Sequence, residues 1–274
     1  MGVREALAAV ATSAETLRTM REDPMSFQDR FALSDADMRT LGGVSADHYD
    51  FMAREVRAKH LVRLGVVLPR TVADLEARHG ELVDAFMADM AAAGGGDEPA
   101  GGELAAERLL TFGELPAGLV DFGWFELDQY RLLRDPTAAA AAGRVSRRTG
   151  GPSRTEPVED HGWWAGKLVA VSLTARVASY DHDVTHPGAP RELPAERVDV
   201  VLQRVWAQPL RTYRIGSGLA LLLGYCDGSR TAPQVAEAAG VPPDQAFAAL
   251  TGLVEHDLVT LAPRRRRAGH HDRL

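Results

Sequence analysis

The sequence predicts an α+β protein: an all-helical N-terminal domain, then a small winged-helix-like domain of three strands and three helices. Three observations carry this. Up to about residue 135, apolar residues recur at helical spacing. From Lys167 the pattern turns β-branched and roughly alternating, in KLVAVSLTARVASYDHDV. After Ile215, short apolar helices return, broken at Asp227-Gly228. Residues 137–162 hold Gly, Pro, Ser and Arg without apolar periodicity. They predict a linker or long loop with a helical start in the alanines. The expected organisation is a helical domain over 1–136, a linker over 137–162, a winged-helix-like domain over 163–263 and a basic disordered tail over 264–274.

Each element has a local reason. Ser34-Asp35-Ala36-Asp37 resembles a capping box, with an acid where Glu or Gln is usual. Ser45 is a good N-cap for a helix running to about Leu68, with apolar positions Phe51, Met52, Val56, Leu61, Leu64 and Leu68. Basic residues Arg54, Arg57, Lys59, His60 and Arg63 crowd the same helix. Pro69 ends or kinks it, because proline lacks a donor and its ring clashes with the preceding turn. A helix from Thr71 follows, then an amphipathic stretch marked by Leu82, Phe86 and Met90, then a glycine-rich loop over 91–102. Leu115–Leu133 is the most aromatic helix candidate, with Phe122, Trp124, Phe125 and Tyr130. Beyond the linker, strands are expected over 167–184, 198–208 and 211–215, helices near 217–226, 231–239 and 242–256, and a short strand over 258–261.

Composition excludes several classes. At 274 residues the chain suffices for two domains, and 45% hydrophobic with 25% charged residues is ordinary for a soluble protein. The net charge of −7 argues against a nucleic-acid partner. A single cysteine, Cys226, excludes an internal disulfide framework and a multi-cysteine metal site. The N-terminal stretch lacks a signal-peptide apolar region, and no run approaches the roughly 18 apolar residues of a membrane span. A cytoplasmic protein is expected.

No nucleophile elbow, zinc-protease helix or phosphate-cradling glycine loop is present, so no catalytic residue and no metal ligand is assigned. Asp181, His182, Asp183 and His186 fit a solvated strand end and turn better than a metal site. His161-Gly162-Trp163-Trp164 fits a core anchor of the second domain, with ligand stacking as the alternative. Cys226 sits in an apolar helical pattern and is expected to be buried. Arg264–Arg267 fits a solvated end. The last helix, PPDQAFAALTGLVEHDL, has no Lys or Arg but carries Asp244, Glu255 and Asp257. A DNA-recognition helix needs cations or donors for phosphate, so this one is a poor reader. Its small apolar residues are expected to serve two faces, one for the core and one for an apolar groove.

Residues 211–261, with a strand, an apolar helix ending in C-D-G-x-R-T, a short helix and a last helix before an apolar L-V, resemble the peptide-recognition element of ribosomally made, modified peptides. The pyrroloquinoline-quinone peptide chaperone is the type member. LSDADMRTL, HYDFMAREVRAKHLVRLGVVLPRTVADL, LVDAFMADM and LPAGLVDFGWFELDQYRLL are similar to the helical domain of the methanobactin-type partner proteins. The resemblance implies a non-catalytic partner that binds a precursor peptide's leader and presents its core to a TIM-barrel multinuclear non-haem iron oxidative enzyme. The iron is expected in that enzyme, with no cofactor in this chain. It implies that the leader adds as a strand beside Arg211, Thr212, Tyr213, Arg214 and Ile215. Ala246, Ala249, Leu250 and Leu253 would line the facing groove, and Arg211 and Arg214 would pair with leader carboxylates. The helices at 45–68 and 115–133 would dock the enzyme, with Phe122, Trp124 and Phe125 as anchors. The alternatives are a winged-helix transcription regulator and an enzyme using the His182/His186 region.

Overall fold

The computed structural model describes residues 2–92, 102–113, 115–148 and 167–263. The expected features at 161–164 and in the tail from 264 lie outside them. The architecture is α+β, with helices throughout the N-terminal half and two small antiparallel sheets. The chain divides into two units, Met1–Leu127 with Gly188–Leu193, and Asp128–Pro187 with Pro194–Leu274.

The first unit is built from α1 (Val3–Thr12), α2 (Ala14–Glu22), α3 (Pro24–Phe31), α4 (Asp35–Gly42), α5 (Ala46–Val67), α6 (Pro69–Arg78), α7 (Gly80–Ala92), α8 (Gly102–Leu110) and the first part of α9 (Ala117–Arg134). The capping box at α4 forms as the sequence suggests. The Ser34 amide donates to Asp37 Oδ2 at 3.0 Å and the Asp37 amide donates to Ser34 Oγ at 3.2 Å. Ser45 Oγ accepts from the His48 amide and starts α5, and Pro69 opens α6 after α5 has ended at Val67. Ala6, Val10, Phe27, Phe31, Leu41 and Tyr49 form one core cluster, where the Tyr49 hydroxyl donates to the Leu41 carbonyl at 2.7 Å.

One contact in this unit joins distant parts of the sequence. Glu126 on α9 is buried and accepts from the Arg70 amide at 2.9 Å, the Thr71 amide at 3.0 Å and Thr71 Oγ1 at 2.8 Å. Leu68 and Pro69 supply no side-chain cap, so a carboxylate from another helix satisfies the first amides of α6. Burial pushes the Glu126 pKa up, against the donors that favour its charged form.

The second unit holds the rest of α9, α10 (Pro136–Arg148), β1 (Lys167–Val171), β2 (Ala175–Tyr180), β3 (Val198–Gln203), β4 (Arg211–Ile215), α11 (Ser217–Gly224), β5 (Asp227–Thr231), α12 (Ala232–Ala239), α13 (Pro243–Glu255) and β6 (Val259–Pro263). Residues 137–148, expected as the start of a linker with a helical beginning, thus lie within a helix. Ala138, Ala141 and Ala142 are buried, and a Cβ on Gly143 would lie 3.2 Å from the Trp206 ring.

The expected single three-stranded sheet is two sheets, ordered β5-β1-β6 and β2-β3-β4. The run expected as one strand over 167–184 divides at Ser172–Thr174. There Ser172 Oγ lies 2.9 Å from Thr174 Oγ1, and the Ala175 amide donates to the Ser172 carbonyl. Asp227-Gly228, expected as a turn between helices, instead begins β5, which pairs antiparallel with β1 through Leu168↔Thr231 and Ala170↔Asp227. The register shifts between those pairs, and Gly228 has φ 83°, a left-handed value that favours glycine. Val169, Leu222, Leu223, Cys226, Val235, Leu250 and Val259 belong to the core of this unit.

Candidate peptide-binding edge and groove

In the β2-β3-β4 sheet the register pairs Asp199 with both Ser179 and Ile215, and Val201 with both Val177 and Tyr213. Alternation therefore puts Val177, Ser179, Asp199, Val201, Tyr213 and Ile215 on one face. Val177, Val201, Tyr213 and Ile215 pack with the core of α11, α12 and α13. The opposite face carries Arg176 and Tyr180, both bound to Asp128 of α9 at 2.8 Å.

β4 is an end strand. It pairs with β3 through every residue from Arg211 to Ile215, and no further strand lies beside it among the described residues. Arg211, Thr212 and Arg214 are exposed; Tyr213 and Ile215 are half-buried. Such an edge presents unpaired main-chain groups to any strand that approaches.

The arginines of β4 differ. Arg214 Nη1 donates to Asp183 Oδ2 at 3.0 Å, and its other terminal nitrogen binds Glu196. Its guanidinium is already paired inside the chain, which corrects its expected role toward leader carboxylates. Asp183 also accepts from the amide and hydroxyl of Thr185, and these bonds lower its pKa, helped by the Arg214 charge. The Asp181–His186 segment is a bent turn held around Asp183. Among the described residues, Arg211 donates to the neutral Gln208 side chain at 3.1 Å.

The expected facing groove on α13 is corrected as well. Ala246, Leu250 and Leu253 are buried in the core, and Ala249 is half-buried against it. They face inward because α13 packs on α12 and β6, which consumes the small apolar side. The open groove lies on α11 instead. It has a volume of about 1340 Å³, and its walls include Ser179, Asp199, Ile215, Ala220, Leu221 and Tyr225. The apolar run 219–226 has two sides. Leu222, Leu223 and Cys226 are buried, whereas Leu221 is 50% exposed. Gly216, Gly218 and Gly224 line the same groove, and a Cβ at any of them would meet nothing within 4 Å. The signal was present in the sequence as the spacing of these three glycines around an apolar run.

Two of the three aromatic anchors expected on α9, Phe122 and Phe125, face the core. Phe122 and Phe125 are buried, with ring centroids 5.8 Å apart, and the Arg70 guanidinium covers the Phe122 ring at 4.5 Å. They serve packing and present no docking surface; Trp124 is half-buried. Cys226 is buried as expected, and burial pushes its thiol pKa up to about 12. Among the described residues, no group of three or more His, Cys, Asp or Glu side chains is placed to hold a metal ion, and no helix is long and apolar enough to cross a membrane.

No protein-family model matches the chain, and no curated protein is similar to it.

Proposed function

We propose that the chain is a non-catalytic peptide-recognition subunit. It binds the leader of a ribosomally made precursor peptide and presents the core to a TIM-barrel, iron-dependent oxidative enzyme. The observation that carries this reading is the unpaired edge of β4 running into an open groove at Ile215. An extended peptide added to β4 gains main-chain hydrogen bonds along Arg211–Ile215, and its side chains gain choice from pockets nearby. The half-apolar wall of Leu221, Tyr225 and Ile215 suits an aliphatic or aromatic leader residue, and Arg211 suits a leader carboxylate. α13 carries no cation for phosphate, which disfavours the regulator reading.

The test measures binding of the labelled peptide encoded beside the gene by fluorescence polarisation. Leu221→Asp, at an exposed position, is expected to weaken binding at least tenfold while circular dichroism stays unchanged. A leader N-methylated at alternate residues is expected to weaken it similarly, because it loses main-chain donors. Unchanged affinity in both experiments removes the proposal.

A further inference from the structure

The 22-residue helix α5 is apolar on two opposite sides. Leu64 and Val67 point into the first unit and are buried. Phe51, Val62 and Val66 are 53%, 68% and 63% exposed. At 100° per residue, positions 51, 62 and 66 fall within about 60° of one another, and exposed Ala58 lies beside them. This outward stripe runs roughly 22 Å along the helix. Burying side chains of this size is favourable, so a solvated face gains nothing from them.

One edge of the stripe is basic and the other mixed. Arg54 flanks it on one side, and Lys59 and Arg63 on the other; all three are exposed. Glu55 lies within the stripe, and exposed Asp47 and Asp50 stand on the Arg54 side at its N-terminal end, so the uncompensated positive charge is that of Lys59 and Arg63. Arg54 uses its Nε on the Asp50 carbonyl of its own helix and borders a cavity that Glu15, Asp50 and Asp84 also line. A locally positive face on a chain of net charge −7 selects its partner by charge.

We propose that this face of α5 docks an amphipathic helix of a partner protein, with an apolar ridge flanked by Asp or Glu on the side that meets Lys59 and Arg63. The occupant follows from charge complementarity: the ridge lies along Phe51, Val62 and Val66, and its acids reach Lys59 and Arg63. It rests on the reading of the chain as a subunit that recruits a partner, and it places that contact on α5, away from the α9 aromatics.

The experiment uses the full chain and two designed, fluorescein-labelled 18-residue helical peptides. Both carry a leucine ridge, flanked by Glu in one and by Lys in the other. The Glu peptide is expected to bind, at least tenfold more tightly than the Lys peptide, with affinity falling as salt rises. Val62→Asp and the double substitution Lys59→Glu, Arg63→Glu are each expected to weaken it at least fivefold, with circular dichroism and leader binding unchanged. Equal binding of the two peptides, or no binding, overturns the docking proposal. So does self-association of the free chain in sedimentation that Val62→Asp abolishes, or binding to phosphatidylglycerol vesicles that it abolishes. Loss of leader binding through β4 with α5 binding intact would sink the recognition reading alone.

Discussion

Glu126 holds a position that no local pattern marks. It sits 55 residues from the amide it caps, and its burial opposes its charge. Removing it strands two backbone amides and a hydroxyl in a buried place. Glu126→Ala is expected to destabilise the chain by about 1–3 kcal/mol, read as a lower urea midpoint with unchanged slope. A midpoint within error of the wild type would show that water replaces the cap. Such a contact is invisible in the sequence because nothing near Pro69 says which distant side chain will meet it. The burial of Cys226 was legible, since a lone cysteine inside an apolar helical run is usually core. Phe122 and Phe125 misled for a related reason: aromatic density marks a core helix as readily as an interface, and their burial decides.

At the scale of elements, α11 is the most informative. Leu221 and Leu222 are adjacent and chemically identical, yet one is half-exposed and the other fully packed. Leu222→Ala is expected to cost about 2–5 kcal/mol in chemical denaturation, and Leu221→Ala to stay within about 0.5 kcal/mol. Similar costs for the two would mean that α11 is rotated from the position described. Helix starts were largely legible here, because Ser34 and Ser45 act through amides three residues on. Strand β4 was legible end to end from RTYRI. Strand β5 was not, because Asp-Gly-Ser-Arg-Thr has poor strand propensity and pairs only because β1 lies beside it. Likewise the small residues of α13 could serve core or groove equally well, and the packing of α12 decided in favour of the core.

For the whole molecule, titration sets the acid limit of stability. Hydrogen bonds from Ser34, Thr185 and Ser229 lower the pKa values of Asp37, Asp183 and Asp227 below their ordinary 3.8. Their contribution is present above 3.8 and lost as pH falls through the lowered folded values. His60 acts earlier. Burial, with Arg63 nearby, depresses its pKa below the ordinary 6.5, so the unfolded chain takes up its proton first. Stability from this group is present above 6.5 and lost as pH falls through the depressed value. The urea midpoint is therefore expected to decline on acidification below 6.5 and again below 3.8. His60→Gln should remove the first decline and keep the second. Persistence of the first decline in that variant would assign it to another group.

The junction at Ser172–Thr174 has a consequence for how the chain tolerates changes in length. The Ser172 amide donates to the Leu258 carbonyl beside one sheet, and the Thr174 carbonyl accepts from the Arg204 amide beside the other. Both hydroxyls are buried against each other. One residue more or fewer here would turn every side chain of β2 to the opposite face. Tyr180 would then leave Asp128, and Val177 would leave the core. The exposed residue between them, Leu173, can vary in kind, but the spacing it occupies cannot, so related chains should differ here by substitution and never by insertion.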